Sequence, residues 1–140
     1  MALRVLLVED NALVTDALRV LLEAFDHEVF TAPTVAAGVA SCVSHRPDIV
    51  LLDLTLPDGH GLQLLARLRA AGATPPMAVA LTGHDDAGTQ ARCRAAGCRA
   101  TLLKPVPTRE LIALLATWEA EIADQRAGAD ARSGSSTPRE

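Results

Sequence analysis

The sequence predicts an α/β protein: a doubly wound, five-stranded parallel sheet in the order 2-1-3-4-5, accompanied by five helices. Three observations lead there. Short runs of Val, Leu and Ile alternate with stretches of helical periodicity, as in successive βαβ units. The run Ile49 to Asp53 (IVLLD) is apolar without alternation, as in a strand buried on both faces. The runs also end on polar residues, which parallel strands would gather along one rim.

Taken in order, Leu3 to Val8 (LRVLLV) reads as the first strand and stops at Glu9-Asp10. Asp10 or Asn11 can cap the helix that follows, because a side-chain oxygen there accepts an otherwise unpaired backbone N–H. Ala12 to Phe25 is amphipathic, with Val14, Ala17, Leu18, Leu21 and Phe25 on one face. Leu13 and Val20 fall off that face. With Asn11 at the helix start they form a candidate partner-docking patch; the alternative is ordinary scattered surface apolarity. Glu28 to Thr31 is a second strand, and a helix from Pro33 or Thr34 carries Val35, Val39, Cys42 and Val43 before stopping ahead of Pro47.

Asp48 to Asp53 is the central strand, and Gly59 and Gly61 punctuate a loop after it. Leu62 to Ala71 follows as a helix with Leu62, Leu65 and Leu68 available to the core. Met77 to Leu81 is the fourth strand, ending at Thr82-Gly83; Asp86 to Ala96 is a helix that Gly97 can terminate. Arg99 to Leu103 is the fifth strand, ending at Lys104-Pro105. Thr108 can cap a last helix whose apolar face is Leu111, Leu115, Trp118 and Ile122. One domain over residues 1–124 is expected. From Gln125 to Glu140 large apolar residues cease, which predicts a disordered tail or the start of a linker.

Composition narrows the function. The chain has 140 residues, 49% hydrophobic and 21% charged, with a net charge of −4. That balance suits a soluble, cytoplasmic protein and argues against nucleic acid or an anionic membrane as partner. No apolar run approaches the ~18–20 residues that cross a bilayer. Cys42, Cys93 and Cys98 lack metal-binding spacing and read as free thiols. Arg92, Arg94 and Arg99 read as a solvated face, with a basic docking patch as the alternative. Every basic residue but one is Arg; the exception, Lys104, ends a predicted strand.

In the predicted topology, Glu9, Asp10, Asp53, Thr82 and Lys104 converge on one rim. Three carboxylates together repel one another unless a cation neutralises them, and Mg²⁺, which prefers oxygen ligands, suits the set. A carboxylate nucleophile, a divalent cation, a hydroxyl donor and a lysine make up the parts of a phosphoryl-transfer site. No GxxxxGK[ST] loop is present, so the phosphoryl donor is expected to be another molecule.

At these residues the sequence resembles the receiver domain of two-component response regulators. VLLVEDN, IVLLDLTLPDGHGLQLL, ALTG and LLKPV occur in the family's order, and the resemblance covers roughly Leu3 to Glu121. It implies a flavodoxin-like receiver fold with Asp53 as the phosphoacceptor. Glu9, Asp10, Asp53 and the backbone carbonyl of Thr55 would hold Mg²⁺. Thr82 and Lys104 would sense the phosphoryl group, and the Lys104–Pro105 bond would be cis. The resemblance names a sensor histidine kinase or histidine phosphotransfer protein as donor. It implies no enzymatic activity beyond the domain's own phosphorylation and dephosphorylation. The phosphorylated form would signal to an unknown downstream protein or pass the phosphoryl group along a relay, with no output domain expected in this chain.

Two departures stand out. Thr101 occupies a switch position that is often aromatic in the family, which puts the usual coupling in question. Thr55 and His84 flank the phosphoacceptor where the family influences hydrolysis. The site is also similar to that of haloacid dehalogenase-type phosphatases, but those carry a second Asp where Thr55 stands. A third reading is a receiver-like binding module that works unphosphorylated.

Overall fold

In the computed structural model, which describes residues 3–83 and 86–136, the chain has a flavodoxin-like α/β fold. The elements are β1 (Arg4–Val8), α1 (Ala12–Ala24), β2 (Glu28–Ala32), α2 (Val35–His45), β3 (Ile49–Asp53), β4 (Thr55–Leu56), β5 (Gly59–His60), α3 (Leu62–Ala71), β6 (Met77–Thr82), α4 (Ala87–Ala95), β7 (Ala100–Leu103) and α5 (Thr108–Ser136). The main sheet runs β2-β1-β3-β6-β7 with every pair parallel. With the small antiparallel β4–β5 hairpin set aside, that is the predicted order. The hairpin occupies what reads in sequence as a plain loop.

The central strands account for the core. Every residue of β3 and β6 is buried. Alternation splits the side chains between faces: Leu6, Val8, Val50 and Leu52 pack with Val35 and Cys42 of α2 and Leu64, Leu65 and Leu68 of α3. The connections reverse direction at β1, so right-handed crossovers place α1 on the face opposite α2, α3 and α4. Gly38 lets α2 approach closely, since a Cβ there would lie 3.2 Å from Leu64 and 3.4 Å from Val8.

Polar side chains define the helix ends. Asn11 Oδ1 accepts from the backbone N–H groups of Leu13 and Val14, at 3.0 and 3.3 Å. Thr34 Oγ1 accepts from Ala37 N, and Asp86 Oδ1 from Thr89 N. Gly97, at φ +103°, closes α4: its N–H reaches Arg94 O and that of Cys98 reaches Cys93 O, the paired bonds of a Schellman motif.

Several sequence expectations need correction. In α1 the fully buried residue is Leu22, while Ala17 and Phe25 are exposed; the helix ends at Ala24, so Phe25 lies beyond its last turn. In α3, Leu65 and Leu68 are buried as expected and Leu64 is buried with them, while Val43 of α2 is exposed. Thr108 is the first residue of α5, not its cap; the carbonyl of Pro107 accepts from Leu111 N. The helix α5 also continues through Gln125 to Ser136, where a disordered tail is predicted. Once nucleated by its apolar turns, the helix propagates into this stretch, although Gly128 and Gly134 weaken it.

Backbone contacts divide the chain into two compact units, Ala2–Val106 and Pro107–Glu140. The first contains the whole sheet. In the second, Leu111, Leu115, Trp118 and Ile122 are buried, the expected stripe of α5. No described helix is long and apolar enough to cross a membrane.

Candidate functional site

The polar residues that end β1, β3, β6 and β7 meet at the carboxyl edge of the sheet, within the first unit. Parallel register explains this. Val8 lies beside Leu52, Asp53 beside Leu81, and Thr82 beside Leu103, so the residue following each apolar run emerges at the same height. The rim lies at the β1/β3 switch point, where such sheets take up ligands.

Glu9 and Asp53 are buried, at 5% and 6% exposure, while Asp10 is exposed. Buried carboxylates need partners. Lys104 Nζ lies 2.9 Å from Glu9 Oε1 and 3.3 Å from Asp53 Oδ1. Glu9 Oε2 also accepts from Asn11 N at 3.1 Å, and Asp53 Oδ1 accepts from Thr55 N at 3.2 Å. Burial works against the Lys104 charge, but the hydrogen bond to Glu9 and the fields of Asp53 and Glu9 outweigh it and raise its pKa above 10.5.

Carboxylate oxygens of Glu9, Asp10 and Asp53 lie within 4.8 Å of one another. Neighbouring ligands of an octahedral Mg²⁺ at ~2.1 Å stand about 3.0 Å apart and opposite ones about 4.2 Å, so the three oxygens would draw together around that ion. The donors are all hard oxygens, the kind Mg²⁺ prefers.

Thr82 is buried at the end of β6, and its carbonyl accepts from Lys104 N at 2.7 Å. The Lys104–Pro105 bond is cis. Thr55 is exposed on β4, directly after the Asp53 strand. Thr101 is half-buried on β7 beside Ala80, two residues below Thr82, so it belongs to the strand beneath the rim. Leu13 and Val20 are 81% and 68% exposed on one side of α1, and Asn11 caps that helix. The expectation for His84 falls outside the described residues.

Two contributors escape a reading of the sequence. Gly61 presses its backbone on Asp53: a Cβ there would lie 2.2 Å from the Asp53 carbonyl oxygen, and Gly61 N donates to Leu54 O at 2.8 Å. Asp58 reaches across to α2, where its two oxygens accept from Val35 N and Ala36 N at 2.8 and 3.1 Å. Those bonds hold the Asp58 carboxyl below its usual pKa of 3.8. The spacing of Asp58, Gly59 and Gly61 hints at a turn, but its packing partners are set by the fold.

Comparison with known proteins places this arrangement. Residues 5–116 match the family described as response regulator receiver domain. The chain is 34% identical over 111 residues to the KDP operon transcriptional regulatory protein KdpE of Escherichia coli, covering 79% of this chain and 48% of that protein. It is also 34% identical to the virulence transcriptional regulatory protein PhoP of Salmonella typhimurium, over 79% of this chain and 49% of PhoP. The chain thus spans about half the length of the curated relatives it matches. A CheY-like receiver domain protein from Methanospirillum hungatei superposes with a TM-score of 0.81 at 25% identity, over 89% of this chain and 99% of that one.

Proposed function

Because this chain belongs to the response regulator receiver domain family, we propose that Asp53 accepts a phosphoryl group from a phosphohistidine on a sensor histidine kinase or histidine phosphotransfer protein. The observation that carries this reading is the convergence of Glu9, Asp53 and Lys104 within hydrogen-bonding distance at the β1/β3 switch point.

An Asp53 carboxylate oxygen attacks phosphorus, the P–N bond of the donor breaks, and an acyl phosphate forms on Asp53. Glu9, Asp10, Asp53 and the Thr55 carbonyl would hold Mg²⁺, which supplies charge screening for the phosphoryl oxygens. Lys104 exchanges its contact with Asp53 for a phosphoryl oxygen, and Thr82 donates its hydroxyl to another. Water later cleaves the acyl phosphate, so the domain's own chemistry is a cycle of phosphorylation and dephosphorylation, carried out in the cytoplasm.

The phosphorylated form shifts the equilibrium between two conformations and so changes what the surface binds. Thr101 is too small to repeat the inward rotation of an aromatic side chain. Leu54, which follows Asp53, packs with Ala80 and with Cys93 of α4, and this contact is our route from the site to the surface. Asn11, Leu13 and Val20 serve as the docking edge for the donor. The relatives are transcriptional regulators by name, and this chain matches about half of their length.

Incubation with acetyl phosphate and Mg²⁺, followed by intact-mass measurement, tests the proposal. One phosphoryl adduct is expected on the native chain and none on Asp53→Asn. A folded native chain that gains no adduct and binds no beryllofluoride overturns it.

A further inference from the structure

Two thiols stand together outside the phosphoacceptor site. Cys93, in the last turn of α4, is 0% exposed, and Cys98, just before β7, is half-buried. The Schellman motif around Gly97 folds the chain back so that Cys98 N donates to Cys93 O at 2.9 Å. The side chains follow the backbone: Cys93 is buried in an apolar cluster with Leu54 and Ala80, and Cys98 packs against that same cluster. Cys42 lies in the cluster between α2 and the sheet, against which Cys98 also packs, while Cys93 belongs to the smaller cluster with Leu54 and Ala80.

We propose that Cys93 and Cys98 form a redox modification site, a dithiol that a hydroperoxide converts to an internal disulfide tying the end of α4 to the start of β7. The chemistry balances with hydrogen peroxide. The Cys98 thiol, the more accessible, gives up its proton, and its sulfur attacks a peroxide oxygen. The O–O bond breaks, one water leaves, and Cys98 becomes a sulfenic acid. Cys93 then loses its proton, its sulfur attacks the Cys98 sulfur, the S–OH bond breaks and a second water leaves. Two thiols lose two electrons in all, and the peroxide is reduced to two waters.

Burial and the neighbouring Cys93 push the Cys98 thiol up to about 12. Because the thiolate is the reactive form, the reaction is slow at neutral pH and accelerates as pH rises towards that value. The consequence is structural. A disulfide requires the sulfurs to close to about 2.05 Å, which fixes the turn that the Schellman bonds alone hold. It also stiffens the helix end that packs behind Leu54.

The test reads sulfur chemistry in the full chain and does not depend on Asp53. After peroxide treatment, intact mass should fall by about 2 Da for the two hydrogens lost, and dithiothreitol should restore it. Trypsin cuts after Arg92, Arg94 and Arg99, so the disulfide should appear as linked peptides Cys93–Arg94 and Ala95–Arg99. Cys42→Ala should keep the mass loss; Cys98→Ala should abolish it, and its half-buried site makes it the better-folding control than Cys93→Ala. Amide exchange in α4 should slow on oxidation. Oxygen addition without the mass loss, a disulfide-linked dimer, or a link that needs Cys42 would each overturn the proposal.

Discussion

The ammonium of Lys104 bridges Glu9 and Asp53, 2.9 Å from one carboxylate and 3.3 Å from the other. A single side chain from the end of β7 thus neutralises charge on β1 and β3. The bridge puts Lys104 in competition with any other cation at the same oxygens.

Replacing Lys104 with Met should therefore strengthen Mg²⁺ binding while weakening phosphoryl uptake. Loss of one nearby positive charge, at an effective dielectric near 20 and with partial solvent screening, should tighten the ion by roughly three- to tenfold. Calorimetric titration with Mg²⁺ measures this. Unchanged or weaker binding in a folded Lys104→Met chain would mean that the bridge and the ion do not share oxygens.

Asp58 makes a pH-dependent contribution to stability with a definite sign. Its carboxyl pKa lies below 3.8 in the folded chain because the α2 amides bind the charged form. The contribution is therefore present above the unfolded pKa and is lost as pH falls through the lower, folded value. Urea unfolding should separate native and Asp58→Ala chains at neutral pH, and the gap should close below about pH 3.8. A gap of constant size down to pH 2 would contradict this.

Gly61→Ala should destabilise the chain and impair Asp53 together. The added Cβ would meet backbone at 2.2 Å from the Asp53 carbonyl and 3.0 Å from Leu54 Cα, and backbone cannot step aside as a flexible side chain can. Overpacking of this kind costs about 1–3 kcal/mol. Chemical denaturation should show the loss, and acetyl phosphate labelling should slow even where the variant is fully folded. Gly61 has φ −54°, so relief of space, not of backbone conformation, explains the glycine.

Leu13→Asp separates docking from chemistry. Leu13 is 81% exposed, so the change should alter stability by less than about 0.5 kcal/mol. It should slow transfer from a phosphohistidine donor while leaving acetyl phosphate labelling unchanged. Equal rates with both donors would reduce the Leu13–Val20 surface to ordinary exposed apolarity.

Much of this molecule was legible without coordinates because its signals are local or repetitive. The unbroken apolar runs of β3 and β6 require a buried strand whatever surrounds them, and alternation of such runs with helices requires parallel order. Parallel order in turn sends Glu9, Asp53, Thr82 and Lys104 to one edge, since every strand ends there. The caps at Asn11, Thr34 and Asp86 are local too, each a side chain bonding to amides two or three residues on.

What the tertiary structure alone decided depends on contacts between distant segments. Sequence placed Lys104 at the rim, but only packing chose Glu9 and Asp53 as its two partners. Asp58 looked like a turn residue until α2 arrived above it, and Gly61 like loop punctuation until its backbone met Asp53. The exposed Phe25 and buried Leu22 show the same limit, for helical periodicity defines a stripe but not where the neighbouring strand stops covering it. The end of α5 differs for another reason: absence of large apolar residues removes a packing force, but a helix already nucleated by its apolar turns propagates past them. Composition and period settle which surfaces must be buried; the distances that make a site arise only when those surfaces close on each other.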